Sequence, residues 1–130
     1  EQNAFKVWAD YGKAVEGCLR MMRDQNDFHI LFTCLAKEET DANGVTHYWP
    51  QIQGSKQSKK VPALFDNVFA GAKVASKSGN SAPVVKRVIY TDEIMGWHGK
   101  VRDPRGVARP IEETSNIVEI IKRIQTGDKK

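Results

Sequence analysis

The feature that most constrains the fold is the apolar run of residues 28–35, Phe-His-Ile-Leu-Phe-Thr-Cys-Leu, which directly follows a helical pattern. Hydrophobicity without alternation is typical of a strand that is covered on both faces, as in a parallel sheet. Residues 4–24 carry apolar side chains at three- and four-residue steps, which predicts an amphipathic helix with Asn3 as its cap. A helix that leads into a buried strand is half of a βαβ unit, so we expect an α/β fold.

The strand that should precede this helix is not in the chain. We therefore expect the 130 residues to form a single domain that is the C-terminal portion of a longer one. No apolar run approaches the roughly 20 residues that cross a bilayer, so we expect no membrane partner. We also expect Cys18 and Cys34 to be buried free thiols, as in a reducing compartment.

The next part of the chain has weaker signals. Residues 37–60 show no periodicity and predict a long connection, with a turn at residues 41–44. A proline in the first turn of residues 61–66 predicts a short helix there.

The last part of the chain predicts a hairpin and a helix. Two β-favouring stretches, 67–74 and 84–91, flank a turn at 78–83. A final helix is expected to begin at Pro110 and to end at Gly127, with isoleucines along one face. The side chains that we expect in the core are Trp8, Leu19, Ile30, Phe32, Phe65, Val68, Val88, Ile89 and Ile121.

Positive charge is concentrated in the middle of the chain. The whole chain has a net charge of +4, and residues 42–91 contain seven basic residues and a single acid, Asp66. This imbalance indicates a polyanionic partner, with nucleic acid as the first candidate. A basic face that is simply turned to water is the alternative, and charge alone does not separate the two.

Within this basic region, aromatic and basic side chains are neighbours. Bases stack on aromatic rings and phosphates pair with lysines, so the segment 46–60 suits single-stranded nucleic acid. The alternative is that the aromatic rings pin the segment to the core while the lysines face water. The residues concerned are His47, Tyr48, Trp49, Lys56, Lys59 and Lys60.

A second basic cluster follows at residues 97–106. Arginines in a glycine-flanked loop bind phosphate through paired hydrogen bonds, and Arg102 and Arg105 are candidates for this role beside Lys100. They are equally suited to surface ion pairs with nearby acids. Lys37 and Glu38 follow the predicted strand, where parallel α/β sheets place ligand-contacting groups.

Motifs of self-contained catalysis are missing from the sequence. It contains no G-x-x-x-x-G-K-[ST] phosphate loop, no G-x-S-x-G, no H-E-x-x-H and no paired C-x-x-C. Its three histidines are scattered along the chain. We therefore expect no complete catalytic site in these residues.

The order of the features resembles a known family. After the predicted helix and strand come Val61-Pro-Ala-Leu-Phe-Asp-Asn-Val-Phe69, a hairpin, and Lys100-Val-Arg-Asp103. This order is similar to the C-terminal half of the phage-type AAA ATPases with a RecA-like core, a group that includes phage single-strand-annealing recombination proteins. The resemblance implies a partial RecA-like α/β core with a C-terminal hairpin and helix.

The resemblance also implies roles for particular residues. Those expected near a nucleotide are Thr33, Lys37, Glu38, Lys100 and Arg102. The segment 38–60 is similar in place to the family's second DNA-binding loop. Together with the composition described above, the residues expected to contact DNA are His47, Tyr48, Trp49, Lys56, Lys59, Lys60 and Arg105. The implied partners are single-stranded DNA and further copies of the full-length protein, in the cytoplasm of a bacterial host, with ATP and Mg²⁺ as cofactors.

The chain lacks features that belong to the N-terminal half of that family. The phosphate loop and the metal-binding aspartate are absent, so we expect no ATP hydrolysis by this chain alone. An alternative function is a stand-alone protein-interaction module derived from the same fold.

Overall fold

The computed structural model describes residues 3–25, 27–76, 79 and 82–128, and the chain separates into two compact units. The first unit comprises the chain up to Glu39 together with Tyr48–Phe65. The second comprises Thr40–His47 and the chain from Asp66 onward. Each is described by itself.

The first unit begins with the predicted helix, α1 (Ala4–Arg23). The side chain of Asn3 accepts a hydrogen bond from the backbone N–H of Phe5, which confirms the predicted cap. Strands β1 (Ala36–Thr40) and β2 (Thr46–Pro50) follow and form a hairpin whose tip, Thr40–His47, belongs to the second unit. After them come α2 (Ser55–Lys60) and a 3₁₀ helix (Val61–Leu64). The residues expected to form a long connection therefore contain two strands and a helix.

The buried strand predicted at residues 28–35 is not present. This segment has no regular secondary structure, and Phe28 and Leu35 are 71% and 76% exposed. Hydrophobicity reports a tendency to be buried, whereas a strand also needs neighbours that accept its backbone hydrogen bonds. Among the described residues the segment has a backbone bond only from the Gln51 N–H to the Leu35 carbonyl.

Several side chains expected in the interior of the first unit are exposed. Trp8, Ile30 and Phe32 are exposed, and so are both free cysteines, Cys18 and Cys34. The expectation of buried thiols is therefore wrong, although the thiols are free. Among the described residues of this unit, the buried ones are Gly12, Ser58 and Val61, which lie where α1 meets α2 and the 3₁₀ helix.

The second unit contains the predicted hairpin, formed by β3 (Ala70–Ser76) and β4 (Val84–Tyr90). The strands are antiparallel, in a register that pairs Ala70 with Tyr90 and Ser76 with Val84. Most of the turn expected between them lies outside the described residues. A third strand, β7 (Ile111–Glu112), pairs with the end of β4 and gives the sheet order β3-β4-β7.

A second, tighter hairpin joins β5 (Glu93–Ile94) to β6 (Trp97–His98). Its two turn residues, Met95 and Gly96, have φ angles of 51° and 80°. Two consecutive positive φ angles are the signature of a type I′ turn, whose twist matches that of the strands. The two strands are antiparallel, with Glu93 paired to His98 and Ile94 paired to Trp97.

The final helix, α3 (Ile117–Thr126), begins seven residues after the expected start. Pro110 leads into β7 instead, and Asn116 caps the helix by accepting from the N–H of Glu119. Gly127 ends it in the left-handed conformation (φ 79°), as predicted.

The core of the second unit is built on the end of β4 and one face of α3. Its buried apolar side chains are Val88, Ile89, Tyr90, Val107 and Ile120. The expected core members Val88 and Ile89 are confirmed, while Val68 and Ile121 are half-buried. The mixed α/β fold class, with a C-terminal hairpin and helix, is confirmed.

None of the helices in the part of the chain that the structure describes has both the length and the apolar character that a membrane crossing needs.

Candidate nucleic-acid interface

Helix α2 presents one buried face and one basic face. Ser58 is fully buried and its hydroxyl donates to the Ile52 carbonyl at 2.9 Å, while Gln57 packs over Gly12 of α1. These contacts fix the orientation of a helix that is too short to be stable alone. The lysines of its other face, Lys56, Lys59 and Lys60, are exposed.

Lys59 lies beside the ring of Trp49. Its Nζ is 5.8 Å from the centroid of the half-buried Trp49 ring and 2.8 Å from Oε1 of Glu39. A cation at this distance is attracted by the negative face of an indole. The structure therefore brings together an aromatic ring and a lysine that are ten positions apart in the sequence.

The charge of Lys60 also influences a second carboxylate, that of Glu16. The guanidinium of Arg20, which donates to Glu16 at 2.7 Å, holds the pKa of that carboxyl below its usual range, and the charge of Lys60 adds to the effect. Glu16 and Glu39 thus supply negative charge on the same unit as the basic face of α2.

The remaining residues that were expected to contact DNA do not lie on α2. Tyr48 is half-buried in the first unit. His47 belongs to the second unit, where its Nδ1 lies 3.1 Å from Nε2 of His98. The guanidinium of Arg105, also in the second unit, donates to the Gln125 carbonyl at 3.2 Å, at the C-terminal end of α3. Arg105 is thus engaged in holding the helix end.

The residues expected near a nucleotide are divided between the two units. Thr33 lies in the irregular segment, and Lys37 and Glu38 are exposed on β1, all in the first unit. Lys100 and Arg102 lie in the second unit. There the backbone N–H of Arg102 donates to Oδ1 of Asn67, and its guanidinium lies 3.3 Å from Asp66.

Lys100 lies at a cavity of about 250 Å³ in the second unit. The cavity is also lined by Thr91, Asp92, Val101, Asp103, Ala108 and Pro110. The N–H of Ala108, 2.6 Å from Oδ2, lowers the pKa of the Asp103 carboxyl, with help from the N–H groups of the turn that follows it. Asp103 therefore stays ionised near Lys100, and the cavity holds charges of both signs.

The turn that begins at Asp103 can be recognised from the sequence. Asp-Pro-Arg-Gly is a preferred type I turn sequence, with Asp first, Pro second and Gly fourth. In the structure the Gly106 N–H donates to the Asp103 carbonyl at 3.3 Å, as such a turn requires. The expectation that Arg102 and Arg105 bind phosphate did not take into account the turn that Asp103 begins.

Comparison with known families gives one finding. A family model described as an AAA domain matches residues 1–102. The chain belongs to the AAA domain family. No curated protein matches the chain, and no solved structure matches it.

Membership in the AAA domain family places the chain in a nucleotide-binding, ATPase-like family that uses ATP and Mg²⁺. The residues of this chain do not fit a complete site for these groups. The sequence has no phosphate loop. Over residues 3–25, 27–76, 79 and 82–128, no group of three or more His, Cys, Asp or Glu side chains could hold a metal ion. Strand β7 and helix α3 lie beyond the matched residues.

Proposed function

We propose that this chain is the nucleic-acid-handling part of a phage RecA-like recombination ATPase, and that the first unit binds single-stranded DNA. The binding surface is the basic face of α2, formed by Lys56, Lys59 and Lys60, together with the ring of Trp49. The observation that carries the proposal is the placement of Lys59 over Trp49 on a helix whose other lysines are exposed.

The chemistry of this surface suits a flexible anionic strand. A base that stacks on an aromatic ring contributes on the order of 1–3 kcal/mol, and any base can do so. Each lysine that meets a phosphate releases counterions, which makes binding fall with salt. In the free protein Lys59 forms an ion pair with Glu39. When DNA binds, a phosphate takes the place of that carboxylate as the partner of Lys59.

Binding of a labelled oligonucleotide, followed by fluorescence anisotropy at several salt concentrations, tests the proposal. Replacing Lys56, Lys59 and Lys60 by Ala removes up to three phosphate contacts, so the log–log salt slope should fall by roughly 2, at about 0.7 per contact. The matched control replaces Lys73, Lys86 and Lys122 of the second unit, which carry the same total charge. A slope that changes equally in both variants, or only in the control, contradicts the proposal.

Trp49→Leu separates stacking from charge. Leucine preserves an apolar side chain at this half-buried position but cannot stack on a base. We expect affinity to fall by on the order of 1–3 kcal/mol while the salt slope stays close to that of the original protein.

A protein-interaction module is the second candidate function, and the exposed apolar residues of the first unit favour it. They lie on α1 and in the segment 28–35, and include Phe5, Phe28, Leu31 and Leu35. Large apolar side chains that are exposed in one region of a protein are often part of interaction sites. A second copy of the chain is the expected partner, so light scattering should show a mass that rises with concentration, and Leu31→Asp should abolish the rise. A monomer at every concentration excludes this candidate and leaves the DNA proposal standing.

A further inference from the structure

Four titratable side chains of the second unit form a continuous series of close polar contacts. Oδ2 of Asp41 lies 3.5 Å from Nε2 of His47, and Nδ1 of the same ring lies 3.1 Å from Nε2 of His98. The other nitrogen of His98, Nδ1, lies 3.1 Å from Oε1 of Glu93. The residues come from the tip of the β1–β2 hairpin and from β5 and β6.

The two imidazole rings meet edge to edge. Their planes are nearly parallel, at 16°, and their centroids are 5.2 Å apart, whereas the facing nitrogens are only 3.1 Å apart. Because each nitrogen lies at the rim of its ring, this combination places the two nitrogens between the rings. The contact needs one hydrogen, carried by one ring and accepted by the other.

Counting hydrogens fixes the charge of the pair. An ionised carboxylate only accepts, so the nitrogens that face Asp41 and Glu93 carry hydrogens. The N–H of Val45, which donates to Asp41, is the main cause of the lowered pKa of that carboxyl, so Asp41 is ionised at neutral pH. Two neutral rings would then turn two lone pairs toward each other. Two fully protonated rings would turn two N–H groups toward each other.

We propose that His47 and His98 hold one shared proton at neutral pH, and that the pair is a pH-sensitive latch between the hairpin tip, Thr40–His47, and β6. Release of the shared proton at higher pH removes the hydrogen bond between the rings. Uptake of a second proton at lower pH replaces it by repulsion between two cations. The latch is therefore closed only between the two titration steps.

The surrounding charges favour a single positive charge on the pair. Asp41 and Glu93 flank it on both sides. Next to β5 and β6 in the second unit, the chain carries two more charged side chains, Asp92 and Lys100. With three acids and one lysine on these parts of the second unit, the local balance is negative and suits one positive charge on the pair.

Gly96 allows the hairpin tip to lie this close. Its φ is +80°, and a Cβ built on it would collide with the backbone carbonyl of Thr46. The tip therefore rests directly on the β5–β6 turn, which holds the two histidines in register. No side chain is compatible with this approach.

Nuclear magnetic resonance of the ring nitrogens of ¹⁵N-histidine-labelled protein, from about pH 5 to 9, tests the latch. His29, which is exposed in the first unit, is the internal control. His47 and His98 should titrate together in two steps separated by at least about one pH unit. In His98→Gln, the signal of His47 should return to a single step.

Single-step titrations of His47 and His98 at the midpoint of His29, unchanged for His47 in His98→Gln, would overturn the proposal. Backbone amide spectra show whether that variant is folded. If it is not, Glu93→Gln applies the same test at an exposed carboxylate. We expect it to move the release of the shared proton to lower pH, and an unmoved midpoint would also overturn the latch.

Discussion

The two units bury their apolar residues to very different degrees. Of the six apolar side chains that are buried in the described part of the chain, Val61 lies in the first unit and the other five lie in the second. The first unit instead exposes large side chains along α1 and throughout residues 28–35. The second unit thus has a core of its own, whereas the first unit leaves many of its large apolar side chains exposed.

The ion pairs of the two units differ in the same way. Glu112 is buried, and it accepts both from Arg123 of α3 and from the backbone N–H of Arg109. The Lys59–Glu39 pair of the first unit is partly exposed. Removing one partner of a buried pair leaves an unpaired charge in the interior, while an exposed charge regains water.

The largest expected effect is therefore that of breaking the buried pair. Arg123→Ala should lower the free energy of unfolding by about 3–5 kcal/mol, measured by urea denaturation. Glu39→Gln, the control in the first unit, should lower it by about 0–1 kcal/mol. Equal losses in the two variants would contradict the proposed difference between the buried ion pair of the second unit and the partly exposed pair of the first.

A second substitution tests the core of the second unit. Ile120 has 0% of its surface exposed, so Ile120→Ala should cost about 2–5 kcal/mol of unfolding free energy. Val118→Ala, on the same helix at a residue that is 58% exposed, should change it by no more than about 0.5 kcal/mol. The same urea measurement on Phe28→Ala extends the test to the first unit. A loss there as large as that of Ile120→Ala would show that residues 28–35 are buried after all.

The smallest expected effect is in the acid range. Because backbone N–H groups lower the pKa of Asp103 in the folded state, its contribution to stability is present above the unfolded pKa and is lost as pH falls through the folded value. Asp103→Asn should therefore make the unfolding free energy of the protein less dependent on pH between about pH 5 and 2. Asp66→Asn is the matched control, and an equal flattening in both variants would mean that the turn is not responsible.

The sequence predicted the parts of the fold that depend on local signals. The cap of α1 at Asn3, the β3–β4 hairpin and the end of α3 at Gly127 follow from capping residues, periodicity and turn residues. The start of α3 also had a local signal that was overlooked, because Asn116 is followed three residues later by Glu119.

The remaining features depend on contacts that periodicity does not report. The strand expected at residues 28–35 needed backbone partners, and β7 is two residues long and exists through its pairing with β4. In the candidate interface, the lysines and Trp49 were predicted, but the contact of Lys59 with the ring arises from the orientation of α2. The His47–His98 contact joins residues 51 positions apart and had no sequence signal.

The central claim is that single-stranded DNA binds to the first unit at Trp49. The three tryptophans of the chain, Trp8, Trp49 and Trp97, each give one indole N–H signal in a ¹H–¹⁵N spectrum, so the protein carries its own reporters. On titration with an oligonucleotide, we expect the Trp49 signal to shift progressively while those of Trp8 and Trp97 stay in place. A shift of the Trp97 signal with an unmoved Trp49 signal would contradict it and would place the DNA on the second unit.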